Sequence, residues 1–520
     1  MASRLQIALL VAIAVTSFVV HMLPTPRNVD DSFITFRYSR NLVNGEGFVY
    51  NPDVRTLGTT TPLYALLMAG IAFVAQGENF PWYALTVNSL ADAATAALLF
   101  YLARRVTESI YPAIVVGLLW AVAPLSVTFA ASGMETSVNI LWMMAGFTAL
   151  VHDRKWLVGL FAGLGLLTRP DAAIWILPLG LYQLIAVYME TRRVPWQTWL
   201  AGLLTITPWV IFSVAYFGSP LPNSLGAKTV AYVINDFGAL TQMTIFYTSP
   251  FLDLETIGSP RSIFVGMAVY PLLNILAISY VLRRERALLP LLIYPWLYFI
   301  IFAVANPLMF RWYFVPPMPA WIFGAVIGVW AVVATLAERT LPRVVFPVAA
   351  ALMLGWWGFL SINAWTANPD HGPDNPAPLS AWHELELHYQ DVGTQLREEF
   401  GVTSETRVAS ADIGAIGYFS GATIVDTVGL VTPELSAYYP FDRDILVTEP
   451  DRQNYAVPPQ LIFDTQPEYF VTMEGFVRLG LEQMPEFTDN YTLLREIPTG
   501  YYGTGVRLYA RNDVLAESTE

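Results

Sequence analysis

The run LQIALLVAIAVTSFVVHML, residues 5 to 23, is the first of eleven apolar stretches, and their recurrence constrains the fold more than any other feature. A helix of about 20 apolar residues reaches across the roughly 30 Å hydrocarbon core of a bilayer. The other stretches occupy about 81–103, 112–130, 137–152, 155–168, 171–189, 197–217, 263–282, 288–305, 315–336 and 344–362. Several carry internal Pro or Gly, as membrane helices tolerate. The first is long for a signal peptide and no Ala-x-Ala-like cleavage site follows it, so it is expected to remain as a span. Eleven spans define a polytopic α-helical membrane protein. The composition agrees, with 55% hydrophobic residues, 13% charged and a mean hydropathy of +0.47.

Basic residues set the orientation. Alternate junctions carry Arg4, Arg104 and Arg105, Arg154 and Lys155, Arg192 and Arg193, Arg283, Arg284 and Arg286, and Arg339 and Arg343, which puts 12 basic residues on one side. By the positive-inside rule that side is the cytoplasm. The apolar run 61–76 is expected to lie as a surface helix, because counting it as a span would move Arg104 and Arg105 to the wrong face. The N-terminus is then cytoplasmic and everything after residue 363 lies outside the plasma membrane, along with loops 24–80, 218–262 and 306–314.

The charge divides in the same place. Beyond residue 363 there are 25 Asp and Glu against 8 Arg, whereas residues 1 to 363 carry a net charge of +4. An acidic outer domain without clustered Lys and Arg argues against nucleic acid as a partner. Its pattern predicts an α/β fold: a helix near 380–400, strand and turn signals in TRVASADIGAIGYF and ATIVDTVGLV, then PEYFVTM and a closing GVRLYAR strand. The expected organisation is a membrane module over 1–365, a linker over 366–378 and a soluble domain over 379–520.

Cysteine is absent, which removes disulfides and thiolate chemistry. His383 and His388 stand five apart, a poor spacing for a shared metal, and are expected as surface residues of an amphipathic helix. Asp442-Arg443-Asp444 mimics the metal-binding Asp-x-Asp of some sugar transferases, but nucleotide sugars are not expected outside. Asp92, within the second span, is costly in lipid and therefore expected to be paired or water-lined.

The stretch NVDDSFITFRYSRNLVNGEGFVYN comes directly after the first span and opens with Asp30 and Asp31. A carboxylate at a helix N-terminus is stabilised by ~0.3 to 1 kcal/mol, and one would suffice. Adjacent helical residues point about 100° apart, so the second acid is left for another task. Phe33, Ile34, Phe36 and Tyr38 are expected against lipid, and Arg37 and Arg40 against phosphate. Other polar groups fall on the same side: Glu135 in SGMETS, Arg169 and Asp171 in LLTRPDA, Asn223 and Lys228 in GSPLPNSLGAKT, and Arg311, Trp312 and Tyr313 in NPLMFRWYFVPPMP. A carboxylate can take the proton of an attacking hydroxyl while Lys or Arg neutralises a departing phosphate, and a prenyl chain gains ~0.8 kcal/mol per CH₂ it buries among the spans. Those are the needs of a transferase whose donor is a sugar on a lipid phosphate.

Asp-Asp after the first span, then SFITFRYSRNLVNGEGFVYN, TTTPLY, SGMET, LLTRPDA, LPNSLGAK and RWYFVPPMP in that order, resembles the polyprenyl-phosphate-sugar-dependent GT-C glycosyltransferases. Within them it is similar to the bacterial branch that includes the mycobacterial cell-wall arabinofuranosyltransferases. The resemblance covers about residues 1 to 365, while ADIGAIGYFSG and IVDTVGL resemble the region after the last span in related bacterial enzymes. It implies an inverting transfer outside the membrane, from a polyprenyl-phosphate-linked sugar to a glycan, glycolipid or protein acceptor. Asp30 would be the base, with Asp31 in support and Glu135 as a second acid near the acceptor. Lys228 and Arg311 would meet the donor phosphate, with Asn223, Tyr313, Arg169 and Arg37 as further substrate contacts. Some members bind a divalent cation and others do not, so the resemblance leaves a metal open. The rival classes are a lipid-linked sugar flippase, which needs midplane ionisable residues, of which the spans carry Asp92 alone, and an internal repeat, of which none is seen, and an inactive envelope assembly factor.

Overall fold

A computed structural model of the chain describes residues 4–231, 236–248, 261–337, 344–364, 381–439, 456–499 and 503–517. The expected linker and the Asp442-Arg443-Asp444 triplet lie outside the described residues, as does the side chain of Lys228.

The chain divides into two units, one of residues 1–27, 81–208 and 237–380, the other of 28–80, 209–236 and 381–520. Residues 28–80, expected as a loop of the membrane module, thus group with the C-terminal residues.

The first unit is helical. Among the described residues of the whole chain, seven helices are long and apolar enough to cross a membrane: Arg4–Met22, Phe80–Thr107, Pro170–Thr191, Trp196–Phe217, Ile263–Arg284, Arg286–Ala305 and Met318–Leu336. Ile110–Ala121 and Pro124–Ala131, bent by 43° at Val122 and Ala123, make an eighth if they count as one span. The expected span 112–130 is broken there because Pro124 cannot donate its backbone N–H. Thr136–Val151 and Lys155–Thr168 form helices as expected, but with 16 and 14 residues they are short of a full crossing. Glycine allows the helices to approach closely: a Cβ at Gly159 would stand 2.0 Å from the Thr198 carbonyl oxygen, and one at Gly328 2.2 Å from that of Leu273.

Asp92 is fully buried in this unit and lies beside His21. Its Oδ2 lies 3.7 Å from Nε2 of His21, which also meets the Ser126 hydroxyl at 2.9 Å, while Nδ1 of His21 reaches the Ser17 carbonyl oxygen at 2.6 Å.

The second unit is built around a five-stranded sheet with strands β1 (Arg407–Ser410), β2 (Thr423–Asp426), β3 (Tyr469–Met473), β4 (Tyr491–Pro498) and β5 (Gly505–Arg511), in the order β2-β1-β3-β5-β4. β2, β1 and β3 are parallel, and β5 and β4 continue the sheet antiparallel. The buried runs Val408-Ala409-Ser410 and Tyr469-Phe470-Val471 suit strands covered on both faces. The sequence reading missed β4, whose alternation is weak, and took GAIGYF as part of a strand-and-turn region. In the structure Gly414–Ser420 is the crossover helix between β1 and β2. Helix Ala381–Glu398 packs on that crossover helix.

The Asp30–Val43 helix also packs against the crossover helix, and Pro62–Ala75 packs on Asp30–Val43. Phe33 and Phe36 are therefore not at lipid. Phe33 meets the rings of Tyr418 and Phe419 at 5.2 Å each, and Phe36 stacks on Phe80 at 5.7 Å. Ile34 and Tyr38 are buried in the same unit.

Candidate active site

Open α/β sheets take anions at the C-terminal ends of parallel strands, where the helix after the strand presents unpaired N–H groups. Here that place, after β1, is filled by the protein's own Asp30. The amide of Gly414 donates to Oδ2 at 2.8 Å and the amide of Ala415 to Oδ1 at 2.7 Å. The opposite end of the crossover helix meets cations from the same segment: Nη1 of Arg40 donates to the Tyr418 carbonyl at 2.8 Å, and Nη2 of Arg37 to the Ala422 carbonyl at 2.6 Å. Acid at the N-terminus and arginines at the C-terminus match the helix dipole at both ends, worth ~0.3 to 1 kcal/mol apiece. The two helices thus run side by side in the same sense.

Two glycines allow this approach. A Cβ at Gly414 would fall 1.8 Å from the Asp30 carbonyl oxygen, and one at Gly417 would fall 2.0 Å from the hydroxyl of Tyr50 and 2.4 Å from Nη1 of Arg37. The Tyr50 hydroxyl donates to the Ile413 carbonyl at 2.5 Å, and the Arg37 guanidinium lies 4.3 Å over the Tyr50 ring. Arg37 is 2% exposed and its guanidinium lies against the docked helix, with Nη2 on the Ala422 carbonyl. His383, expected at the surface, is corrected. It is not a surface residue but sits 3.1 Å from the Asn28 carbonyl oxygen and 3.3 Å from Glu386.

Asp412, just ahead of the crossover helix, adds a further carboxylate near Asp30. Its Oδ2 accepts from the Tyr389 hydroxyl at 2.5 Å. Burial first, then the charge of Asp412, and to a smaller degree that of Asp31, push the Asp30 carboxyl well above the ordinary carboxylate range, against the pull of the two amides. Asp30 and Asp31 are each half-buried.

Asn223, expected at the substrate, donates instead to the Gly429 carbonyl at 2.6 Å, and its own amide donates to the Leu57 carbonyl at 2.8 Å. Its side chain therefore fixes the loop after β2, which Asp426 also organises by accepting the amides of Val428, Gly429 and Val431. Lys228 lies in the helix Ser224–Ala231 of the same unit.

The other expected residues belong to the first unit. Arg169 caps the end of helix Lys155–Thr168 and is buried. Its Nη1 donates to Oε1 of Glu135 at 2.8 Å, while Nε and Nη2 grip both oxygens of Asp171 at 2.9 and 3.1 Å. The guanidinium lies 5.5 Å from the ring of Tyr313, whose carbonyl oxygen is 2.8 Å from the Tyr298 hydroxyl. Burial raises the pKa of Glu135, with Arg169 opposing; burial also works against the charge on Arg169, but Asp171 and Glu135 more than offset it. Arg311 is half-buried in the 3₁₀ turn Arg311–Tyr313. Glu135 and Arg169 are thus one satisfied network.

Among the described residues no group of three or more His, Cys, Asp or Glu is arranged to hold a metal ion. Within ADIGAIGYFSG no residue stands out in the sequence as functional. The usable signal was an acid and two glycines three apart, placed after a strand-like RVAS.

Comparison with known proteins supplies three findings. Residues 380–514 match the model of a family described as a domain of unknown function, DUF8728. Over 234 residues the chain is 28% identical to an alpha-(1->3)-arabinofuranosyltransferase of Corynebacterium glutamicum, covering 44% of this chain and 50% of that protein. It is 24% identical to a terminal beta-(1->2)-arabinofuranosyltransferase of the same organism, over 39% of this chain and 33% of that one. The chain therefore spans half or less of the length of these curated relatives. Among solved structures, ArnT from Cupriavidus metallidurans bound to undecaprenyl phosphate superposes with a TM-score of 0.58 at 16% identity, over 98% of each chain. Its apo form gives 0.58 at 14% identity over 97% of each. At such identities the likeness is one of fold, shared with ArnT along nearly the whole chain.

Proposed function

We propose that this chain is a multi-pass membrane glycosyltransferase that moves a sugar from a polyprenyl phosphate to an extracytoplasmic acceptor. The observation that carries the reading is the Asp30 carboxylate, held by two amides just beyond the first apolar helix and with raised proton affinity, in a chain that shares the fold of ArnT and resembles arabinofuranosyltransferases. The N-terminus is cytoplasmic and residues 381–520 are outside, as the arginine pattern requires.

In the reaction Asp30 takes the proton of the acceptor hydroxyl as that oxygen attacks the anomeric carbon. The bond from that carbon to the phosphate oxygen breaks, the polyprenyl phosphate leaves with the electron pair, and the anomeric centre inverts. A carboxyl with raised proton affinity is a stronger base than an ordinary aspartate. Lys228, in the same unit as Asp30, neutralises the leaving phosphate. The acceptor is a glycan, glycolipid or protein.

Asp31, the next residue of the same helix, stands in support of Asp30.

The test is to incubate purified protein with a panel of polyprenyl-phosphate sugars and candidate acceptors, with Asp30→Asn, Asp31→Asn and Lys228→Met in parallel. Transfer by the wild type, lost in Asp30→Asn and with weakened donor affinity in Lys228→Met, supports the reading. Absence of both transfer and hydrolysis across the panel favours a flippase or an assembly factor.

A further inference from the structure

We infer that residues 412–415 of the C-terminal domain are the positioning element of the general base: the amides of Gly414 and Ala415 aim the Asp30 carboxylate, and Asp412, tethered by Tyr389, sets the charge beside it. The inference rests on the proposed function and assigns to the 380–514 domain a task in catalysis.

A carboxylate on the first turn of a helix has rotamer freedom that a general base cannot use. Two amides, one to each oxygen at 2.8 and 2.7 Å, remove it. The donors are rigid because Gly414 and Ala415 start a helix that is anchored elsewhere. Arg40 binds its Tyr418 carbonyl and Arg37 the Ala422 carbonyl just past its end, Tyr50 binds the Ile413 carbonyl, and Phe33 packs on Tyr418 and Phe419. Each Asp30 oxygen keeps a second lone pair with which to accept a proton.

Amides alone would make Asp30 a weak base, since hydrogen bonds to a carboxylate favour the ionised form. Asp412 opposes this. Its backbone carbonyl accepts from the Ser410 hydroxyl at 2.9 Å and its carboxylate is held by Tyr389 on helix Ala381–Glu398, so it does not swing away. The other charged or titratable groups nearby are Asp31, Arg37 and Arg40 on the Asp30 helix, Tyr50 in the loop after it, and His383 with Glu386 on helix Ala381–Glu398. One four-residue stretch thus supplies the aim and, after burial, the largest push on basicity.

The experiment tracks the Asp30 carboxyl by infrared difference titration, with Asp30→Asn as the blank, together with kcat and donor KM against pH in wild type, Asp412→Asn and Gly414→Ala. Asp412→Asn retains an oxygen for the Tyr389 hydroxyl, and it should lower the Asp30 titration midpoint and the acid limb of kcat by about one pH unit, leaving donor KM within about twofold. Gly414→Ala pushes the amides off the carboxylate, and kcat should fall on the order of 10- to 100-fold at all pH. An Asp30 titration unmoved by Asp412→Asn overturns the inference, as does full kcat in a folded Gly414→Ala protein. If Gly414→Ala does not fold, Asp412→Asn decides alone. If the wild type transfers no sugar the functional reading fails, and the infrared titration still reports whether Asp412 controls Asp30.

Discussion

Nη1 of Arg169 stands 2.8 Å from Oε1 of Glu135, with both side chains at most 5% exposed. The same guanidinium grips Asp171 with two further nitrogens, so one cation neutralises two carboxylates away from bulk water. Truncating one partner of such a buried pair costs about 3–5 kcal/mol, because the charge left behind has no solvent. Arg169→Met should therefore lower the thermal midpoint sharply and abolish transfer with it. Glu135→Gln keeps an oxygen for Arg169 and should fold. If Glu135 serves the acceptor, that variant loses rate or acceptor KM at undiminished stability, and a wild-type profile would leave it a purely structural role.

Asp30→Asn is a sharper test than shape alone suggests. Asparagine keeps one acceptor oxygen but turns an NH₂ group toward one of the two amides, so one hydrogen bond becomes a donor facing a donor. Leaving a buried donor unpaired costs about 1–3 kcal/mol. Loss of a general base lowers the rate on the order of 10² to 10⁴. We expect Asp30→Asn to show both effects, with the rate loss persisting at temperatures where the protein is still folded. If Asp31→Asn shows the larger rate loss and Asp30→Asn only the stability loss, the base is Asp31.

The pH dependence has a definite sign. A base works unprotonated, so transfer should fall as pH drops through the pKa of Asp30, and that limb should lie clearly above pH 4 because burial and Asp412 raise it. Stability runs the other way. A carboxyl whose pKa rises on folding contributes its full stabilisation below the unfolded value of about 4, and that contribution is lost as pH climbs through the folded value. A rate profile flat from pH 7 down to 4 would exclude Asp30 as the base.

Asn51 joins its segment to the sheet by mimicking a strand. Its side-chain nitrogen donates to the Ile424 carbonyl at 2.8 Å and its oxygen accepts the Ile424 amide at 2.9 Å. β2 is an edge strand, and these bonds satisfy backbone groups that would otherwise be unpaired. Asn51→Leu should destabilise the unit containing residues 381–520 by about 2–4 kcal/mol, two unmade bonds at roughly 1–2 kcal/mol each. Limited proteolysis between β1 and β2 is the measurement, and unchanged protection would mean that the pairing carries little weight.

The sequence by itself determined the helical membrane character, the place where the acidic domain begins, and the chemical classes of residue gathered near Asp30. These are local properties: an apolar run long enough for a bilayer is helical in lipid whatever surrounds it, and an arginine count needs no contacts. Thr136–Val151 and Lys155–Thr168, at 16 and 14 residues, keep the lengths of their apolar runs in the sequence and are short of a full crossing. The tertiary structure alone decided the task of each polar side chain. Arg37 and Arg169 have the same chemistry in the sequence, yet one binds the end of the crossover helix and the other bridges two carboxylates. Asp30 and Gly414 are separated by 384 positions, and no periodicity or propensity connects them. A carboxylate acts as a cap, a clasp or a base according to the donors and charges facing it, and those are brought to it only when distant segments pack.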